Sequence, residues 1–159
     1  STGVYVDPIL RLDDQGDVYL NTGFGTGNYN GVKVFDGDLK EFELADVKIL
    51  SETITLTKGS SNNGGSNIYE VATAKGAKVV VVAENLQDGE KEFIEFGVTD
   101  DGTDVFHTEY GNLRTDYQLI IPSFEFTSNS EARLNILLGA NVPATNSVKI
   151  TFSSTITKK

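Results

Sequence analysis

The stretch "VTDDGTDVFHTEYG", Val98 to Gly111, holds the single histidine of the chain, His107, and sets Asp100, Asp101, Asp104 and Glu109 around it. One imidazole among four carboxylates could hold a metal ion, move protons, or do neither and form the tip of a β-hairpin. Calcium loops need oxygen ligands at alternating positions closed by a glutamate, and neither "DDGTDVFH" nor "DDQGDVYL" follows that spacing. Asp100, Asp101 and Asp104 are therefore calcium candidates by composition only. His107 has no second histidine to share a metal, and no serine sits in a G-x-S-x-G turn for it to activate. Turn chemistry accounts for the same residues without any activity: aspartates cap their own backbone, and Gly102 supplies positive φ. The expectation is no catalytic residue and no cofactor.

Two other patterns could carry chemistry. A glycosidase needs only two carboxylates at a suitable separation, and 23 acidic residues leave that open. The absence of tryptophan weighs against a sugar cleft, although tyrosine could substitute. "NTGFGTGNYNG", Asn21 to Gly31, has the composition of a phosphate loop but lacks the Gly-Lys-Ser/Thr ending and a helix to follow. It reads instead as a mobile or partner-ordered loop, with Gly23, Phe24, Gly25, Tyr29 and Asn30 as interaction candidates. "KGSSNNGGSN", Lys58 to Asn67, reads as a long hairpin tip offering Asn62 and Asn63.

The elements that must position these residues are strands. Apolar residues recur at period two between Gly, Asp and Asn breaks, and no long helix is visible. Roughly ten strands in one chain this long predict an all-β, antiparallel β-sandwich or jelly-roll-like domain over residues 1–159, with residues 1–31 as an extended N-terminal arm. "LKEFELADVKIL" is the one stretch that could pass for a short helix, and its β-branched and aromatic content argues for strand.

Register follows from parity. Ile94, Phe96 and Val98 form one apolar face, and Phe106 and Tyr110 form another. Antiparallel partners share a face across an odd loop only, so a three-residue loop Asp100-Asp101-Gly102 is expected, with His107 opposite Glu95 and away from the core. The same device is expected twice more. Leu10 and Leu12 would face Leu20 and Val18 around Asp14-Gln15-Gly16, and Tyr69 and Val71 would face Val81 and Val79 around Ala74-Lys75-Gly76. Gly16, Gly76 and Gly102 are thus the structural turn residues.

The formal charge of −10 would repel phosphate backbones and anionic membranes, so neither nucleic acid nor membrane is an expected partner. No run of about 18 apolar residues exists, and "STGVYVDPIL" lacks the regions of a signal peptide. Cysteine is absent, which excludes thiolate and iron–sulfur chemistry. Ser1 commonly follows a removed initiator methionine, which suits an entire gene product, and an excised domain could also begin with Ser.

The runs "AKVVVVAEN", "KEFIEFGVTDDGTDVFHTEYGNLRT" and "FEFTSNSEARLNILLGANVPATNSVKITFSSTIT" together resemble a β-rich domain of virion structural proteins from tailed phages of cyanobacteria and other aquatic bacteria. The likeness covers roughly residues 71–157 and rests on the "DDGTDVFHTEYGNL" hairpin, the "RLNILL" strand and the terminal "NSVKITFSSTIT". It implies a non-enzymatic particle component and supplies no catalytic residues. The expected role is a capsid decoration protein on the outer surface of the head. Its partners would be the major capsid protein and copies of itself, with a trimer favoured. A tail-fibre or receptor-binding module recognising a surface glycan is the alternative, and a carbohydrate-active enzyme comes third.

Overall fold

The computed structural model describes residues 10–12, 18–20, 41–43 and 46–159. Eleven strands are present and no helix occurs among the described residues, so the all-β expectation holds with one strand more than expected. The chain divides into two compact units, Ser1–Asp38 and Leu39–Lys159.

In the first unit, β1 (Leu10–Leu12) and β2 (Val18–Leu20) pair antiparallel with Leu10 opposite Leu20 and Leu12 opposite Val18, the register expected from the sequence. Gly16 lies outside the described residues, as do Gly23, Phe24, Gly25, Tyr29, Asn30 and most of the 1–31 segment.

The second unit holds two antiparallel sheets. The larger contains β3 (Glu41–Glu43), β4 (Val47–Thr57), β6 (Ala74–Asn85), β7 (Lys91–Asp100), β8 (Val105–Arg114) and β11 (Ser147–Lys158) in the order β3-β4-β11-β6-β7-β8. The smaller contains β5 (Asn63–Glu70), β9 (Ile120–Phe126) and β10 (Glu131–Leu138) in the order β5-β10-β9. "LKEFELADVKIL" contributes to β3 and β4, in line with the strand reading of its β-branched and aromatic content.

Period-two alternation explains the core. Val79, Val81 and Ala83 of β6, Ile94, Phe96 and Val98 of β7, and Val148, Ile150, Phe152 and Ile156 of β11 all face inward from the large sheet. Ala132, Leu134, Ile136 and Leu138 of β10 and Ile120 of β9 belong to the same hydrophobic cluster. Each fully buried aliphatic side chain contributes about 1.5–3 kcal/mol of transfer free energy. Pro122, which cannot donate to a ladder, lies on β9 at the edge of the small sheet.

Two of the expected hairpins are corrected. β5 pairs with β10 and β6 with β11 and β7, so Tyr69 and Val71 do not face Val81 and Val79; the chain changes sheets across Val71-Ala72-Thr73. Gly76 is accordingly no turn residue. It lies inside β6 beside a bulge, where a Cβ would stand 2.7 Å from the Val98 carbonyl oxygen. The expected tip at Asn62 and Asn63 is likewise a strand start: Asn62 receives the Leu138 N–H on its carbonyl, and Asn63 opens β5 opposite Leu137.

The β7–β8 hairpin differs in parity. Its loop has four residues, Asp101 to Asp104, so Val98 faces His107, Thr99 faces Phe106 and Asp100 faces Val105. His107 therefore shares the side of Phe96 and Val98, and Phe106 points the other way. The expected odd loop, and with it His107 opposite Glu95, is overturned. The physical cause is side-chain capping. Asp101 Oδ1 accepts the N–H groups of Thr103 and Asp104, each at 2.9 Å, and the Asp101 N–H reaches the Asp104 carbonyl at 3.2 Å. Asp104 is thereby held in the turn. Gly102 has φ +92°, so the left-handed conformation assigned to it is correct even though the loop is longer. Tyr110 then forms a β-bulge: Phe96 faces Glu109 while Glu95 faces Gly111, which flips parity again for the rest of β8.

Candidate interaction surfaces

The histidine and its carboxylates separate in the fold. The His107 ring lies 4.5 Å from that of Phe124 on β9 and 6.2 Å from that of Phe96, centroid to centroid, and acts as an aromatic lid at the rim between the sheets. Asp101 spends its carboxylate on the turn. The Asp104 N–H leads, with the Thr103 hydroxyl second, in holding its pKa below the ordinary value. Asp100 Oδ1 accepts the Gly102 N–H at 3.0 Å. The same carboxylate adjoins Tyr69, whose ionisation is pushed up first by burial and then by Asp100, although the hydroxyl has no partner in hydrogen-bond geometry. Among the described residues no group of three or more His, Cys, Asp or Glu is placed to share a metal ion.

Parity would have found one functional-looking residue that the sequence reading passed over. Glu92 is even-numbered like Ile94, Phe96 and Val98, and it points inward with them at 1% exposure. Its Oε1 accepts Arg114 Nε at 2.7 Å, and its Oε2 accepts the N–H groups of Leu119 at 2.7 Å and Ile120 at 3.0 Å. Every oxygen is thus committed to structure. The carboxylate ties β7 and β8 of the large sheet to the start of β9 in the small one. A second polar knot fixes the β6–β7 turn. Buried Asn85 donates to Tyr117 Oη at 2.7 Å and to Asp88 Oδ2 at 2.9 Å, and the Tyr117 hydroxyl donates to the same Asp88 oxygen at 2.6 Å. Burial first, then Asp88, raises the Tyr117 pKa.

Among the described residues, the outer faces of the two sheets are the surfaces open to a partner. On the large sheet, one cross-strand row runs Thr53, Thr151, Val82, Phe93, Leu113. Its last three members are 40, 37 and 69% exposed. Phe106 and Tyr110 extend this apolar side along β8, which pairs only with β7 among the described residues. Tyr110 covers the space above Gly97, where a Cβ would lie 2.9 Å from its ring. These aromatics were expected in the core. The four-residue loop turns Phe106 out, and the bulge at Tyr110 leaves that side chain 69% exposed.

The outer face of the small sheet is different in character. Its central row is Ser123, Asn135, Gly65, flanked by an apolar row, Ile121, Leu137, Asn63, and a charged row, Glu125, Arg133, Asn67. A shallow depression of about 350 Å³ opens over Asn63, Gly64, Ser123, Arg133 and Asn135. Arg133 lies across it, with Nε donating to Asn135 Oδ1 at 3.0 Å and Nη1 to Asn67 Oδ1 at 3.2 Å. Glu125 Oε1 stands 3.8 Å from the same Nε. Of the interaction candidates read from sequence, Asn63 lines this depression and Asn62 precedes it in the chain.

No protein family and no curated protein matches the chain. Among solved structures it is similar to the Acinetobacter phage vB_ApiP_P1 tailspike protein, at 11% identity and a TM-score of 0.41 over 65% of this chain and 21% of that one. It is also similar to the Acinetobacter baumannii phage AM24 tailspike protein, at 9% identity and a TM-score of 0.36 over 70% of this chain and 26% of that one. The chain thus spans about a quarter or less of these proteins, and likenesses this distant carry no function to it.

Proposed function

We propose that the chain is a non-enzymatic structural protein of a tailed-phage virion, a two-sheet body of β-sandwich type carried on the outer surface of the head as a decoration protein. The observation that carries this reading is the apolar row Val82, Phe93, Leu113 with Phe106 and Tyr110 beside it, an attachment surface on a rigid sheet. The sequence resemblance over residues 71–157 supports a virion role, and a charge of −10 keeps the protein from adhering to packaged genome. The partner is the major capsid protein, joined by further copies of this chain in a symmetric oligomer, a trimer by expectation. Each copy gains modestly from a few apolar side chains after the costs of association, and an oligomer multiplies that gain through effective concentration.

A receptor-binding module on the tail is the second reading, favoured by the polar depression on the small sheet. The experiment separating the two strips the protein from purified particles, heats stripped and intact heads, and adds the protein back. A ligand that binds only the assembled shell stabilises it, so intact and restored heads melt higher than stripped ones. Equal melting, with the free protein binding host cells, favours the tail.

A further inference from the structure

We infer that the depression on the outer face of the small sheet binds a neutral saccharide, with Asn135 at its centre, Asn63, Ser123 and Arg133 around it, and Asn67 held beside it by Arg133. The inference rests on the second reading above, the receptor-binding module, and uses the opposite class of surface, polar where the large sheet is apolar.

The first ground is a local rule broken in one place. Asn and Gly are depleted in strands, yet β5 begins Asn-Gly-Gly-Ser-Asn, and β10 sets Asn135 directly opposite Gly65. Both glycines have packing reasons. A Cβ at Gly64 would sit 3.0 Å from Ile54 Cδ1 and Leu56 Cδ2, and one at Gly65 would collide with the Leu134 carbonyl oxygen. Asn63 has no such reason, and Asn135 has only its bond to Arg133. Sequences that specify their fold well break local preference mainly at functional sites.

The second ground is the chemistry of the lining. Arg133 donates to the carbonyl oxygens of Asn135 and Asn67, which orients both amides with their oxygens toward the guanidinium. A fixed guanidinium, two oriented amides and the Ser123 hydroxyl present donors and acceptors over two strand spacings, about 9.5 Å. Asn135 leans over Gly65, its Oδ1 2.8 Å from where a Cβ would stand, so the glycine makes room for that amide. Leu137, 43% exposed, lines the same depression with an apolar edge, and Ile121 stands opposite it on β9 at 41% exposure. A pyranose matches this combination, because it offers hydroxyl pairs on its rim and a C–H face for the aliphatic edge.

The third ground is charge, which selects a neutral ligand. Glu125 already offsets Arg133, and Glu131 and Glu70 stand opposite one another on the same face. The whole chain carries −10. An anionic sugar would meet net repulsion.

The test offers the full chain, displayed on a tetravalent carrier so that weak sites register, to an array of neutral and of uronate- or sialate-bearing oligosaccharides. The best-retained neutral glycan is then titrated into isotope-labelled protein. Neutral glycans are expected to be retained, with amide shifts at Asn63, Ser123 and Asn135. Asn135→Leu, close in size but without the amide, should weaken binding by about tenfold or more, the loss of one to two hydrogen bonds. Leu113→Lys, on the other sheet, should leave it unchanged, and both variants should melt as folded proteins. Retention of no neutral glycan, retention of acidic glycans alone, or binding indifferent to Asn135→Leu while sensitive to Leu113→Lys would each overturn the inference.

Discussion

One carboxylate oxygen, Asp101 Oδ1, accepts the Thr103 N–H, the Asp104 N–H and the Thr103 hydroxyl, all within 2.9 Å. That capping lengthens the loop by one residue over the expected three and so decides which side chains of β8 see solvent. The composition "DDGTD" announced a glycine-containing turn and correctly placed positive φ at Gly102. It did not announce the loop length, because three- and four-residue loops draw on the same residue types and differ only in which N–H groups the aspartate captures. The capping has a measurable consequence. With its pKa lowered from 3.8 in the folded state, Asp101 contributes stability that is present above pH 3.8 and lost as pH falls through the folded value. We predict that NMR of the Asp101 carboxyl carbon titrates below pH 3.8, and that Thr103→Ala moves the midpoint upward. A midpoint at or above the ordinary value would show that the turn does not depend on this carboxylate.

At the scale of elements, period two located β6, β7, β10 and β11 and their inward faces, because a half-buried strand must alternate. The β1–β2 register was also legible, since its apolar pairs admit one slip only. What stayed hidden was partnership. "YEVATAKGAKVVV" fits a hairpin as well as it fits two strands of different sheets, and nothing local says that Tyr69 packs beside Ala132 rather than Val81. "NNGGSN" reads as loop by propensity, and pairing with β10 overrides that reading. Glu92 was legible by parity alone: a carboxylate in register with Ile94 and Phe96 must be buried and therefore paired. Removing one partner of such a pair leaves its counterparts unsatisfied, so Glu92→Ala should destabilise the protein by roughly 3–5 kcal/mol in denaturant titration. A loss below about 1 kcal/mol would mean that the link from β7 to β9 is dispensable.

For the whole molecule, two sheets sharing one core leave two outer faces of unlike chemistry. One is an apolar row ending at β8, which pairs only with β7 among the described residues; the other is a polar depression built from asparagine, serine and arginine. Sequence reading supplied the acidic charge and the virion resemblance but placed Phe106 and Tyr110 in the core, so the apolar face became visible only once the four-residue loop and the bulge were known. In the proposed function attachment runs through that face, and Leu113, at 69% exposure, can be changed without disturbing the core. The most direct measurement is rebinding of wild-type and Leu113→Lys protein to stripped heads, quantified per capsid. Burying a lysine in place of leucine forfeits about 1.5–3 kcal/mol per copy, so the account predicts that the variant folds normally and rebinds at least about tenfold more weakly. Wild-type occupancy by the variant would contradict attachment through the large sheet.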